Sequence, residues 1–182
     1  MRSPLAAAIP EVALWPTLAA PASTPIPGMN QAHLHLIFNH VPIVGSLFAA
    51  VLLAAGLFKH NLTLTKAGLI AVLAAGLFCL PAQLTGEGAA AIAQQLPRTS
   101  RALIHNHEEA AELGFWALEG AAALALFGLL LLKGASPKAR LLALLALAAT
   151  LLSYGLLARA GNLGGMIGHP EIREGFGTPD EL

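Results

Sequence analysis

The chain has 182 residues, 56% of them hydrophobic and only 11% charged, and its mean hydropathy is +0.69. A water-soluble domain carries about 25% charged residues, so that class is excluded. Ten acidic and ten basic residues cancel, which removes the electrostatic basis for a nucleic-acid partner; the single cysteine, Cys79, excludes an internal disulfide and a cysteine-only metal cage.

Residues 1–30 stand apart from the rest. Pro4, Pro10, Pro16, Pro21, Pro25 and Pro27 punctuate an Ala-rich stretch, and Glu11 interrupts its apolar run. A secretory signal needs an unbroken apolar core of about 7–15 residues, which Pro10 and Glu11 break. The segment reads as disordered, with Met29 as a candidate start and a weak signal peptide ending near Ala20 as the alternative.

Four long apolar segments follow, over about 34–58, 67–84, 110–132 and 141–163. Each is near the roughly 20 residues that cross about 30 Å of hydrocarbon. Only helices or closed barrels satisfy the backbone there, and unbroken Leu/Ala runs have no strand alternation. Ser100 is a candidate N-cap, so the third helix is expected to run from 101 to 132, about 48 Å at 1.5 Å per residue. Its first turns would stand above the lipid. The fold class is therefore all-α: an integral membrane four-helix bundle with up-down-up-down connections. The four-helix domain covers 31–173, and 174–182 form a flexible tail.

The loops set the orientation. Loops 59–66, with Lys59, His60 and Lys66, and 133–140, with Lys133, Lys138 and Arg140, are short, basic and free of acids. By the positive-inside tendency both face the cytoplasm. Both termini and the 85–109 loop then face the periplasm of a bacterial inner membrane. All ten acids and six of the seven histidines fall on that outer half.

An antiparallel bundle gathers these polar groups at one level. The first helix brings His33, His35, Asn39 and His40; the second leaves through Gln83, Thr85, Gly86 and Glu87. The third brings His105, His107, Glu108, Glu109, Glu112 and, deeper, Glu119; the fourth leaves through Arg159, Asn162, His169 and Glu171. Helical spacing puts His33 and His40 on one face and His35 and Asn39 on another. Arg159 needs a carboxylate within the membrane, with Glu112 or Glu119 as the natural partner, and a Glu119–Tyr154 hydrogen bond is expected. The glycine-rich run 161–169 reads as a flexible helix exit.

Two chemistries fit this layer. Imidazole and carboxylate from facing helices hold divalent metals in bundle cores, with His35, His40, Glu87, His107, Glu108 and His169 as candidate ligands for iron, copper or zinc. Alternatively, two imidazoles on diagonal helices, such as His40 and His107, could ligate haem b iron axially. Asn39, Glu112, Glu119, Arg159 and Glu171 would orient the ligands. His33 and His105 read equally well as solvated helix ends, and His60 as a solvated loop residue.

Four motifs carry a resemblance. They are His33-Leu-His-Leu-Ile-Phe-Asn-His40-Val-Pro42, Leu84-Thr-Gly-Glu87, His107-Glu-Glu109 and Asn162-Leu-Gly-Gly-Met-Ile-Gly-His169-Pro-Glu171. Together they make residues 29–173 resemble a family of small, uncharacterised four-span bacterial membrane proteins. The chain departs from that pattern at Gly168, where the family carries Arg, and His105 lies outside it. The resemblance implies the architecture and the choice of residues, and brings no established activity. The expected task is electron transfer or metal handling beside a redox membrane complex, with the lipid bilayer as surroundings and a homo-oligomer as a further arrangement. An independent enzyme is not expected, since no catalytic motif or tethered domain is present. The alternatives are a cofactor-free structural or assembly subunit and a small transporter.

Overall fold

The computed structural model describes residues 29–97, 99–132 and 136–175, leaving aside the side chain of Pro137. The expected loose segment 1–28 and the tail 176–182 lie outside the described residues. Five α-helices are present: α1 (Gln31–Phe38), α2 (His40–Phe58), α3 (Leu62–Ala93), α4 (Arg101–Leu132) and α5 (Pro137–Gly168), followed by a short 3-10 turn at Pro170–Ile172. Among the described residues there is no strand. α1 and α2 form one span broken at Asn39, so among the described residues four helices are long and apolar enough to cross a membrane.

Short polar side chains start the helices. Asn30 Oδ1 accepts the His33 N–H at 2.9 Å, and Asn61 Oδ1 accepts the Leu64 N–H at 3.0 Å; Ser136 caps α5 through the Lys138 N–H at 3.3 Å. Each satisfies a donor that the first helical turn leaves orphaned. The α2–α3 turn needs only 59–61. His60 takes a left-handed φ of 50°, and the Asn61 N–H reaches back to the Gly56 carbonyl at 2.9 Å. This is the Schellman closure, with histidine where glycine is usual. The Arg140 guanidinium donates to His60 Nδ1 at 3.2 Å and ties the turn to α5, so His60 is more than the solvated loop residue expected.

The helices close into a ring. α2 packs on α3, α3 on α4, α4 on α5 and α5 on α2, with the largest contact between α4 and α5. The first hairpin is α1/α2 with α3, and the second is α4 with α5. Small side chains fill the interior: Ala49, Ala121, Ala125, Ala143 and Ala146 surround Leu53, Leu69 and Val72. A second cluster, Ala75, Cys79, Phe115, Leu118 and Leu157, lies toward the polar end. Cys79 is buried, as its apolar neighbours imply. The hydroxyls of the buried Ser46, Thr65, Thr150 and Ser153 are each bonded to a main-chain carbonyl; Ser153 Oγ donates across to the Gly114 carbonyl at 3.0 Å.

The outer surface is apolar instead. Leu84 is 80% exposed, Leu77 66% and Val44 65%, an inversion that places the solvent-averse face outside, as in a helix surrounded by lipid.

Several boundaries differ from the sequence reading: the first span starts at 31 instead of 34, α3 at 62 instead of 67 and α5 at 137 instead of 141. α3 runs nine residues past the expected end at 84, so Pro81 sits inside it. The Thr85 hydroxyl donates to the Pro81 carbonyl at 2.7 Å, four residues back along the helix. The expected 85–109 loop shrinks accordingly to 94–100. The glycine run 161–168 is helical, not a loose exit, because neighbours press on it: a Cβ at Gly161 would lie 2.9 Å from Ile43 Cδ1.

Gly56 and Gly68 set the closest helix approach. A Cβ at Gly68 would meet the Leu53 Cα at 2.6 Å, and one at Gly56 the Thr65 backbone nitrogen at 2.4 Å. Backbone cannot yield as a side-chain tip can. Gly68→Ala is expected to cost about 1–3 kcal/mol, read as a lower midpoint of thermal unfolding in detergent. Gly120→Ala, which adds a methyl to open space, is expected to leave that midpoint unchanged or higher. Equal midpoints for the two variants would contradict the backbone clash.

Candidate functional site

The polar ends of all the helices enclose a cavity of about 630 Å³. Its size falls within the roughly 300–1,000 Å³ usual for small-molecule and cofactor sites. The cavity is lined by His35, Asn39, His40, Cys79, Gly86, Glu87, His107, Glu108, Glu112, Gly164 and His169, among others.

Two imidazoles dominate its centre, and the same device holds both. On the first hairpin, His35 Nδ1 lies 2.9 Å from the Ala82 carbonyl of α3. On the second, His107 Nδ1 lies 2.8 Å from the Ala160 carbonyl of α5. A carbonyl only accepts, so each Nδ1 carries the hydrogen and each neutral ring leaves Nε2 as a free lone pair. Four residues after each carbonyl comes a glycine, Gly86 or Gly164. A Cβ at Gly164 would sit 3.0 Å from His107 Cε1, and one at Gly86 would sit 3.9 Å from His35 Cε1. The Thr85 hydroxyl, 3.4 Å from His35 Nδ1, adds a further polar neighbour.

The ring centroids lie 6.3 Å apart with planes 88° apart, an edge-to-face arrangement. The Nδ1 bonds leave Nε2 of each ring as the nitrogen with a lone pair, the one that could hold a metal or a cofactor.

His40 does not share this position. Five residues from His35, it is turned about 140° around the helix, and it is exposed at the cavity margin. The imidazole opposite His107 is thus His35 and not the expected His40. Asn39, four residues from His35, lines the cavity, and its Oδ1 is shielded without a partner among the described residues.

The acids stay at the rim. Glu87, Glu108 and Glu112 line the cavity but are exposed. His169 is exposed and bonded to Glu171 at 2.8 Å. His105 pairs with Glu109 at 3.3 Å, on the surface. Among the described residues, no three of His, Cys, Asp and Glu gather as a set able to hold a metal ion. The six-residue ligand set expected from sequence is therefore spread around the cavity instead of converging on one point. The expected Arg159 pair with Glu112 or Glu119, and the Glu119–Tyr154 bond, do not form among the described residues: Arg159 is exposed, and Glu119 Oε1 is shielded and unpartnered.

Sequence reasoning missed the carbonyls of Ala82 and Ala160 and the glycines that follow them. A signal was present. Both helix exits carry Ala-x-x-x-Gly, at 82–86 and 160–164; the glycines fall inside two of the four motifs given above, and the alanines lie just before them. Comparison with protein-family models, with characterised proteins and with solved structures finds no match to this chain.

Two outcomes follow from this geometry. Gly164→Ala is expected to push the His107 ring off Ala160, so that its Nδ1–H resonance in ¹⁵N NMR broadens or disappears. Gly86→Ala, with ordinary contact distance to His35, is expected to leave the His35 resonance in place. Equal effects in both would mean that Gly164 does not seat the ring. At the rim, the Glu171 carboxyl is held below the ordinary carboxylate range, first by its own backbone N–H and then by His169. A depressed carboxylate pKa contributes above the unfolded value and is lost as pH falls through the folded one. The His169–Glu171 contact should accordingly persist at neutral pH and open only below the usual carboxylate range, read from the titration of the Glu171 side-chain carbon.

Proposed function

We propose that this chain is an integral membrane electron-transfer protein that binds haem b between His35 and His107 at the outward-facing end of its bundle. The observation that carries the reading is the pair of imidazoles with centroids 6.3 Å apart, each fixed through Nδ1 to a backbone carbonyl. Haem brings four of its own ligands and asks the protein for two, which suits a centre with two converging imidazoles better than a bare ion that needs three or four. The cavity of about 630 Å³ is of the size that cofactor sites have. The bound group would supply one-electron redox chemistry. The protein's part is to fix the tautomer, set the ligand planes and exclude bulk water.

The setting in a bacterial inner membrane, with the cavity toward the periplasm, rests on the apolar exterior and on the basic residues of the two short turns. Lys59 and Lys66 flank the α2–α3 turn, and Arg140 reaches into it. By the positive-inside tendency that end faces the cytoplasm. A redox membrane complex, or a second copy of the chain, is the partner that such a carrier would serve.

The test is an absorption spectrum with elemental analysis of protein purified in detergent from haem-replete cells. A Soret band is expected, with haem occupancy falling about tenfold or more in His35→Ala and in His107→Ala. His40→Ala should retain the band. If both imidazoles hold the iron, the ferric protein should give a low-spin EPR signal that is lost in His35→Ala and in His107→Ala. Stoichiometric metal without a Soret band would favour a mononuclear metal site. Neither, after reconstitution, would leave a cofactor-free structural subunit or a transporter.

A further inference from the structure

Glu119 has no role in the site as described, yet it lies further from a helix end than any other acid among the described residues. It sits about 18 Å below His107 along α4. Its Oε1 is shielded from solvent and has no hydrogen-bond partner among the described residues. The carboxyl lies against bare backbone: a Cβ at Gly76 would be 3.5 and 3.7 Å from its two oxygens. Three residues on, along the same face of α3, Cys79 lines the cavity. The carboxyl thus lies just under the cavity floor.

The elements packed on α4 are α3 and α5. α3 presents Cys79 to this carboxyl as its titratable neighbour. The outer half of α5 carries Tyr154 and Arg159, and neither bonds to Glu119 among the described residues. No lysine or arginine therefore offsets a charge here. An intramembrane carboxyl without a cation is costly as a carboxylate, and such groups mark proton relays.

We propose that Glu119 is a proton-binding site linked to the centre above it: it takes up one proton when that centre gains one electron. The linkage rests on the haem reading. In balance, ferric iron and a carboxylate become ferrous iron and a carboxylic acid. The electron comes from a one-electron donor such as a mediator dye, and the proton comes from the outer water through the cavity. No net charge is added to the membrane interior.

The experiment is a redox titration of the haem-loaded protein in lipid vesicles at several pH values, for wild type and Glu119→Gln. Glu119 touches neither imidazole, so the absorption spectrum of the variant should match wild type. The midpoint is expected to fall with rising pH by up to about 59 mV per pH unit, the limit for one proton per electron, and to flatten in Glu119→Gln. A flat wild-type midpoint, or equal slopes in both proteins, overturns the linkage. If no haem binds, the cofactor reading fails separately, and labelling with a hydrophobic carbodiimide decides about Glu119 itself. An adduct on Glu119 that fades as pH rises, and is missing in Glu119→Gln, supports the proton site; no adduct at any pH overturns it.

Discussion

The structure depends on helix backbones approaching one another until small side chains alone fill the gap. Among lipid tails no hydrophobic force draws helices together, and close van der Waals contact has to serve. Gly56 and Gly68 bring α2 against α3, and a Cβ at Gly114 would strike Leu157 at 2.7 Å. The same closeness lets a side chain on one helix reach a main-chain carbonyl of the next. Ser153 does so to Gly114, His35 to Ala82 and His107 to Ala160. Bulkier packing residues would push these carbonyls out of range. The polar site is therefore a product of the apolar packing.

Helix carbonyls are ordinarily occupied by their own i+4 N–H, but they have a second lone pair. Ala82 and Ala160 use it on an imidazole. This costs the helix nothing in backbone bonding and gives each ring a fixed tautomer. The glycine one turn later supplies space for the ring to lie flat. At Gly164 the fit is tight, and at Gly86 it is relaxed, so the two rings are held with different stringency.

Much of the architecture was legible in the sequence because it follows from length and hydropathy. Four apolar runs, short basic turns and a polar layer at one level are properties of composition and order. Helix ends were less legible. The turns of α3 beyond Leu84 and of α5 beyond Leu163 carry Gly and Thr, which read as breakers locally; tertiary contacts with His35 and His107 override that preference. Within the site, His107 and its neighbours were legible as a cluster. The choice between His35 and His40 was not, since depth along a helix was weighed above the face it presents. The 140° between them decides which ring meets His107. Charge alone points Arg159 to a carboxylate partner; it is exposed and forms no ion pair with one among the described residues.

The repetition of one imidazole device on each hairpin has a further consequence. Only the 94–100 connection joins the halves covalently, and each half supplies one of the two imidazoles. On the proposed haem reading, a group that bridges His35 and His107 would act as a rivet between two half-proteins. By mass action, such a bridge stabilises the docked form in proportion to the logarithm of its free concentration. The supply of the bridging group would then govern how long the assembled bundle persists, and with it how much of the protein a cell retains.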